Sequence, residues 1–138
     1  MKTKSIMIVG VGGQGTLLAS RVLGHLFMDA GYDVKVSEVH GMSQRGGSVV
    51  TYVRWGDRVY SPIVDKGEAD FIVSFELLEA ARYLEYLRPD GQIVTSTQQI
   101  DPMPVVTGAA VSFFSSSENA SSALSIAASQ RWKSCFFQ

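Results

Sequence analysis

Two short stretches carry the residues whose types and spacing could do chemistry. Gly10-Val11-Gly12-Gly13-Gln14-Gly15 satisfies G-x-G-x-x-G, directly after the apolar run Ser5 to Val9 and directly before a helical pattern that begins at Thr16. In that setting the first glycine permits a tight turn, the second lets backbone approach a ligand, and the third lets helix pack on strand. A helix start presents unpaired N–H groups and about half a positive charge, which favours phosphate or another anion. Thr16 adds a hydroxyl. The bland alternative is a glycine turn that only closes the strand–helix corner. No Gly-Lys-Ser/Thr follows, so the stretch is not a P-loop. Glu38 lies roughly twenty residues beyond the last glycine, where an acidic residue would hold the ribose of NAD. Taken alone, this pair of features favours a nicotinamide-dependent enzyme.

The second stretch is Ser43-Gln44-Arg45-Gly46-Gly47. Arg45 offers a planar fork of donors suited to phosphate or carboxylate. The following glycines let backbone N–H groups fold into an anion-binding nest. At the C-terminal end of a parallel strand such a loop faces the same crevice as the first. A surface arginine before a flexible turn fits the composition equally well. His40 sits in the same loop and is open to an acid/base role or to plain solvation, whereas His25 falls inside a helical pattern and reads as structural. Asp65, Glu68 and Asp70 form a loose acidic run that reads as capping or solvating the next strand. No serine stands in G-x-S-x-G, which leaves out a hydrolase elbow.

The elements that must position these loops follow from periodicity. Ser5 to Val9 and Phe71 to Phe75 are continuous apolar runs of the kind buried in parallel sheets. Between Thr16 and Ala30, Leu18, Val22, Leu26 and Ala30 recur every four residues beside Ala19, Leu23 and Phe27, which predicts a helix laying that face on the sheet. Gly31 stands where a terminal glycine belongs. Asp33 to Ser37 reads as a strand. Ser48 to Trp55 alternates, Gly56-Asp57 marks a turn, and Arg58 to Ser61 is predicted to return as the second strand of a hairpin. Glu76 to Leu87 is predicted helical, with Tyr83 and Tyr86 edging the core. Arg88-Pro89-Asp90-Gly91 should stop that helix, and Gln92 to Ser96 should form the next strand. Two strand–helix–strand units predict an open, mostly parallel, doubly wound (Rossmann-like) α/β sheet with a short antiparallel hairpin.

The whole-chain quantities fit one ordinary domain. The 138 residues carry a net charge of −1, with 46% hydrophobic and 18% charged residues. That balance speaks against nucleic acid, which needs a basic face. The single cysteine, Cys135, cannot by itself build a disulfide, a zinc site or an iron–sulfur cluster. The apolar run near the N-terminus is broken by glycines and is too short for a signal-peptide core or a membrane span, so a cytoplasmic protein without membrane contact is expected.

Both loops together carry a family resemblance. Ile8 to Gly15 resembles the opening motif of the gamma-type domain of 2-oxoacid:acceptor oxidoreductases. Glu38 to Val49 is similar to the second signature of that family, and Ile100 to Val105 resembles the form found in its indolepyruvate:ferredoxin branch. The similarity runs from about Ser5 to Ala110, most of the chain, and marks residues 1–110 as the gamma-type domain. It implies an enzyme that decarboxylates an arylpyruvate on thiamine diphosphate, passes electrons through iron–sulfur clusters to ferredoxin and releases an acyl-CoA. It further implies that thiamine diphosphate and the clusters sit on a large partner subunit, that coenzyme A is a candidate contact, and that this chain shapes and assembles without a bond-making step. By the same resemblance and the loop physics together, Gly10, Gly12, Gly13, Gln14, Gly15, Thr16, Ser43, Gln44, Arg45 and Gly46 are the expected crevice residues. A free-standing NAD(P)-dependent dehydrogenase and a structural partner domain without ligand are the competing readings. Residues 111–138, rich in serine and alanine, depart from the family pattern and are expected to be a truncated or altered, poorly ordered tail.

Overall fold

The structure is a computed structural model and describes residues 2–40, 47–101 and 103–109. Its first strand, β1 (Lys4–Val11), is buried along nearly its whole length. Met7, Ile8 and Val9 are fully inaccessible, each contributing about 1.5–3 kcal/mol by leaving water. A helix, α1 (Thr16–Asp29), follows the glycine loop and leads to β2 (Asp33–His40). Next come β3 (Ser48–Gly56) and β4 (Ala69–Ser74). A short helix, α2 (Leu77–Tyr83), continues as a 3-10 turn over Leu84–Tyr86 into β5 (Leu87–Thr95). A last turn of helix, α3 (Met103–Val106), ends the described part.

The strands form one open sheet in the order β2-β3-β1-β4-β5. β1 pairs in parallel with β4, and β4 with β5, so β4-α2-β5 is the expected strand–helix–strand unit. β3 runs antiparallel to both of its neighbours, β1 and β2. The expected hairpin is therefore replaced: Ser48 to Trp55 is a strand, but Arg58 to Ser61 is not. Both edges of β3 are already occupied, leaving no ladder for a return strand. The chain instead crosses over the end of the sheet, where the Val59 N–H donates to Asp33 Oδ2 at 2.8 Å and Val59 and Val64 bury their side chains.

Helix α1 meets the sheet with only part of its expected face: Ala19, Leu23 and Phe27 pack there as expected, while Leu18, Val22 and Leu26 do not. Thr16, Ser20 and Gly24 are its buried positions, one turn apart, with Ala19, Leu23 and Phe27 packed beside them on Ile6, Ile8, Val53 and Trp55. The Phe27 and Trp55 rings stack with centroids 4.1 Å apart. Leu18, Val22 and Leu26, expected on the sheet, are 68%, 51% and 57% exposed. Small residues won the inner face because the helix lies close to the sheet: a Cβ on Gly24 would sit 3.3 Å from Val36. The helix closes as a Schellman motif, with the Gly31 N–H on Met28 O and the Tyr32 N–H on Phe27 O, and Gly31 takes the positive φ of 87° that the motif demands.

The sequence Arg88-Pro89-Asp90-Gly91 does not follow a long helix. It forms a bulge inside β5, because Ala69 pairs with Leu87 while Phe71 pairs with Gln92. An edge strand tolerates Pro89 there. The bulge brings the Arg88 guanidinium to Asp70 Oδ1 at 2.7 Å, where Lys4 also arrives at 2.9 Å and the Ser5 N–H donates to Oδ2 at 2.9 Å. Burial alone would raise the Asp70 pKa; the donors from Lys4, Arg88 and Ser5 outweigh it and hold the carboxyl below the usual aspartate value. On the face of the sheet away from α1, Met7, Val9, Val50 and Ile72 form the second core layer, edged by Tyr52, Tyr83 and Tyr86.

Candidate functional site

The glycine loop leaves β1 and turns into α1 through two residues only glycine adopts freely: Gly13 at φ 98° and Gly15 at φ 87°. Gly15 is the cap of α1 and supplies no side chain, so the first N–H groups of the helix face outward without intrahelical partners. They open on a cleft of about 530 Å³ lined by Gly12, Gly13, Gly15, Thr16, Leu17, Leu18, Arg21, Glu38, His40 and Val49. One wall is thus the positive end of a helix dipole reinforced by Arg21. The other is the C-terminal end of β2, where His40 Nε2 lies 3.9 Å from Glu38 Oε1. This arrangement can bind and orient an anion; it has one acidic and one basic wall.

The expected crevice residues divide into three groups. Gly12, Gly13, Gly15 and Thr16 line the cleft. Gly10 and Gln14 do not; they hold the loop together. Gln14 Oε1 accepts the Val11 N–H at 2.7 Å, and its amide nitrogen donates to Phe75 O and to Gln98 Oε1. A Cβ at Gly10 would lie 2.7 Å from that same Gln14 oxygen, so the first glycine is required by the strut. Ser43, Gln44, Arg45 and Gly46 lie outside the described residues, but the end of their loop does not: the Gly12 N–H donates to Gly47 O at 2.9 Å. That bond joins the glycine loop to the residue where the second stretch rejoins the sheet.

Sequence reasoning missed Arg21, Leu17 and Leu18 as cleft residues. Leu17 and Arg21 stand four apart on one helix face, so a helical wheel started at the cap rather than at the apolar stripe would have found them. Glu38 does line the cleft, but not as a dinucleotide site would place it. In that arrangement the acidic residue ends the strand next to β1. Here β3 stands between, and β2 is two strand spacings, roughly 9.6 Å, from β1.

The cofactors of the resembling enzymes can be tested against this chemistry. An iron–sulfur cluster needs several thiolates, and this chain has one cysteine. Among the described residues no group of three or more His, Cys, Asp or Glu side chains is placed to hold a metal ion. A single cysteine does not fit an iron–sulfur cluster. Also among them, no helix is long and apolar enough to cross a membrane.

Comparison with known proteins places these features in a group. The indolepyruvate oxidoreductase subunit IorB of Pyrococcus horikoshii is 53% identical over 110 residues, covering 80% of this chain and 54% of that protein. The chain thus spans about half the length of the curated relatives it matches. The crystal structure of a keto/oxoacid ferredoxin oxidoreductase gamma subunit from Geobacter sulfurreducens superposes with a TM-score of 0.55 at 22% identity, covering 68% of this chain and 51% of that one. The 2-oxoglutarate:ferredoxin oxidoreductase of Magnetococcus marinus, with 2-oxoglutarate, coenzyme A and succinyl-CoA bound, superposes with a TM-score of 0.62 at 18% identity, covering 74% of this chain and 18% of that one. The fold is therefore that of these oxoacid oxidoreductase chains. The description pyruvate ferredoxin/flavodoxin oxidoreductase matches residues 5–134, and the chain belongs to that family.

Proposed function

We propose that the chain is the small, cluster-free subunit of a cytoplasmic, thiamine-diphosphate-dependent 2-oxoacid:ferredoxin oxidoreductase of the indolepyruvate type, which oxidatively decarboxylates an arylpyruvate to an acyl-CoA. Thiamine diphosphate and the iron–sulfur clusters belong to a large partner subunit, which passes electrons to ferredoxin. The observation that carries this reading is the 53% identity over 110 residues to an indolepyruvate oxidoreductase subunit. The cleft supports it in kind: a helix N-terminus and Arg21 suit the phosphates of coenzyme A. Gly12, Gly13, Gly15 and Thr16 offer backbone and hydroxyl contacts. This reading also assigns ligand contact to Ser43, Gln44, Arg45 and Gly46 of the second loop, with Gly10 and Gln14 bracing the glycine loop. The insertion of β3 between β1 and β2 weighs against a free-standing nicotinamide dehydrogenase.

Co-expression with a thiamine- and cluster-bearing subunit tests the proposal. A brown complex should co-purify and reduce ferredoxin only when indolepyruvate and coenzyme A are both present. Calorimetric titration of the isolated chain should show no tight NADH binding; tight NADH binding would overturn the reading. In the assembled enzyme, Arg45→Ala and Arg21→Ala should each raise the apparent KM for coenzyme A roughly fivefold, since one charge–phosphate contact contributes about 1 kcal/mol. An unchanged KM in both variants would remove this cleft from coenzyme A binding.

A further inference from the structure

The glycine loop after β1 and Gly47 at the entry to β3 are both tied back to α2, on the opposite side of the sheet from α1. Ser48 is the first residue of β3 and directly follows Gly47. Its hydroxyl donates to Glu79 Oε2 at 2.5 Å, with Tyr83 Oη 3.3 Å away. Glu79 is 4% exposed, and its other carboxylate oxygen lies 3.6 Å from Arg82 Nε. The Gly47 carbonyl, one bond from Ser48, is the acceptor for Gly12 N–H. A buried acid on α2 therefore fixes the residue whose neighbour fixes the glycine loop.

A second tie leaves the same turn. Glu76 caps α2, accepting the Glu79 N–H at 2.8 Å, and its other oxygen accepts the Ile100 N–H at 3.1 Å. The Leu77 N–H donates to Gln98 O, and the Gln98 side chain accepts from Gln14. The segment after β5 is thereby held against α2 while it grips the glutamine that shapes the glycine loop. A carboxylate of ordinary surface character would not be buried here. Desolvating it is costly unless its oxygens are engaged; Glu79 is engaged with Ser48, and Glu76 with the N–H groups of Glu79 and Ile100.

We propose that Glu79 is a positioning residue, which through Ser48 and Gly47 fixes the glycine loop against the head of β3, and that the Leu77–Gln98–Gln14 tie holds the other flank. The proposal rests on the reading that the two loops frame one ligand cleft, and its test separates the two. Hydrogen exchange on the full chain reads the geometry directly. Glu79→Ala and Ser48→Ala should each speed exchange at Gly12 at least tenfold while leaving Ile8 and Ile72 in the sheet unchanged. Glu79→Gln, which can still accept from Ser48, should restore protection at Gly12. Unchanged exchange at Gly12, or equal acceleration at Gly12, Ile8 and Ile72 in both alanine variants, would overturn the positioning role. In the assembled enzyme Glu79→Ala should raise the apparent KM for coenzyme A severalfold with kcat kept within twofold. Local loosening with an unaltered KM would leave the clamp standing and sink the coenzyme A assignment of the cleft.

Discussion

Gln14 braces the glycine loop from within and is not among the residues that line its cleft. All its hydrogen-bonding capacity that the structure records points inward, to Val11, Phe75 and Gln98. The glycines around it divide by the same logic. Gly10 makes room for that amide, whereas Gly13 and Gly15 adopt backbone angles that a side chain resists. Gly15→Ala should therefore lose about 1–2 kcal/mol of stability from the left-handed conformation alone, read as a lower urea midpoint at unchanged slope; an unshifted midpoint would show that the loop relaxes freely. Asp70 gives a pH prediction. Its folded pKa lies below the ordinary 3.8, so its stabilisation is complete above that value and is lost as the pH falls through the lower folded value. Asp70→Asn should remove this acid-range dependence and cost about 1–2 kcal/mol at neutral pH, discounted because Lys4 and Arg88 reach solvent. Acid titrations of parent and variant followed by circular dichroism would show it; coincident curves would mean that the cluster contributes nothing.

At the scale of elements, α1 carries the most instructive departure. Its leucine–valine stripe of Leu18, Val22 and Leu26 stays exposed, and the side that meets the sheet buries Thr16, Ser20 and Gly24 with Ala19, Leu23 and Phe27 packed beside them. Hydrophobic periodicity finds the greasier stripe. It does not register how closely the helix axis approaches the strands, which is what selects Ser20 and Gly24. Substituting Leu18, Val22 or Leu26 by glutamine should thus change stability by no more than about 0.5 kcal/mol, while Ser20→Leu should cost about 1–3 kcal/mol by overpacking. Thermal melts of the four variants would decide the matter, and the reverse order would refute the observed orientation. Strand β3 teaches a related lesson. Its alternation was legible in Ser48 to Trp55, but alternation does not name the partner strand, so a local hairpin was expected where β3 instead bridges β1 and β2.

For the molecule as a whole, the Gly12–Gly47 bond ties the glycine loop after β1 to the residue from which β3 starts. Residue types and spacing alone determined the glycine turn, the strand–helix alternation, the closing glycine of α1 and the family, because each is written in residues close along the chain and governed by backbone sterics or local periodicity. Tertiary structure alone decided that β3 would separate β1 from β2, that small residues would carry α1 onto the sheet, that Arg21 would join the cleft, and that Glu79 would reach Ser48. Those outcomes depend on contacts between residues far apart in sequence, where competition for strand edges and for close-packed space, rather than local preference, sets the arrangement.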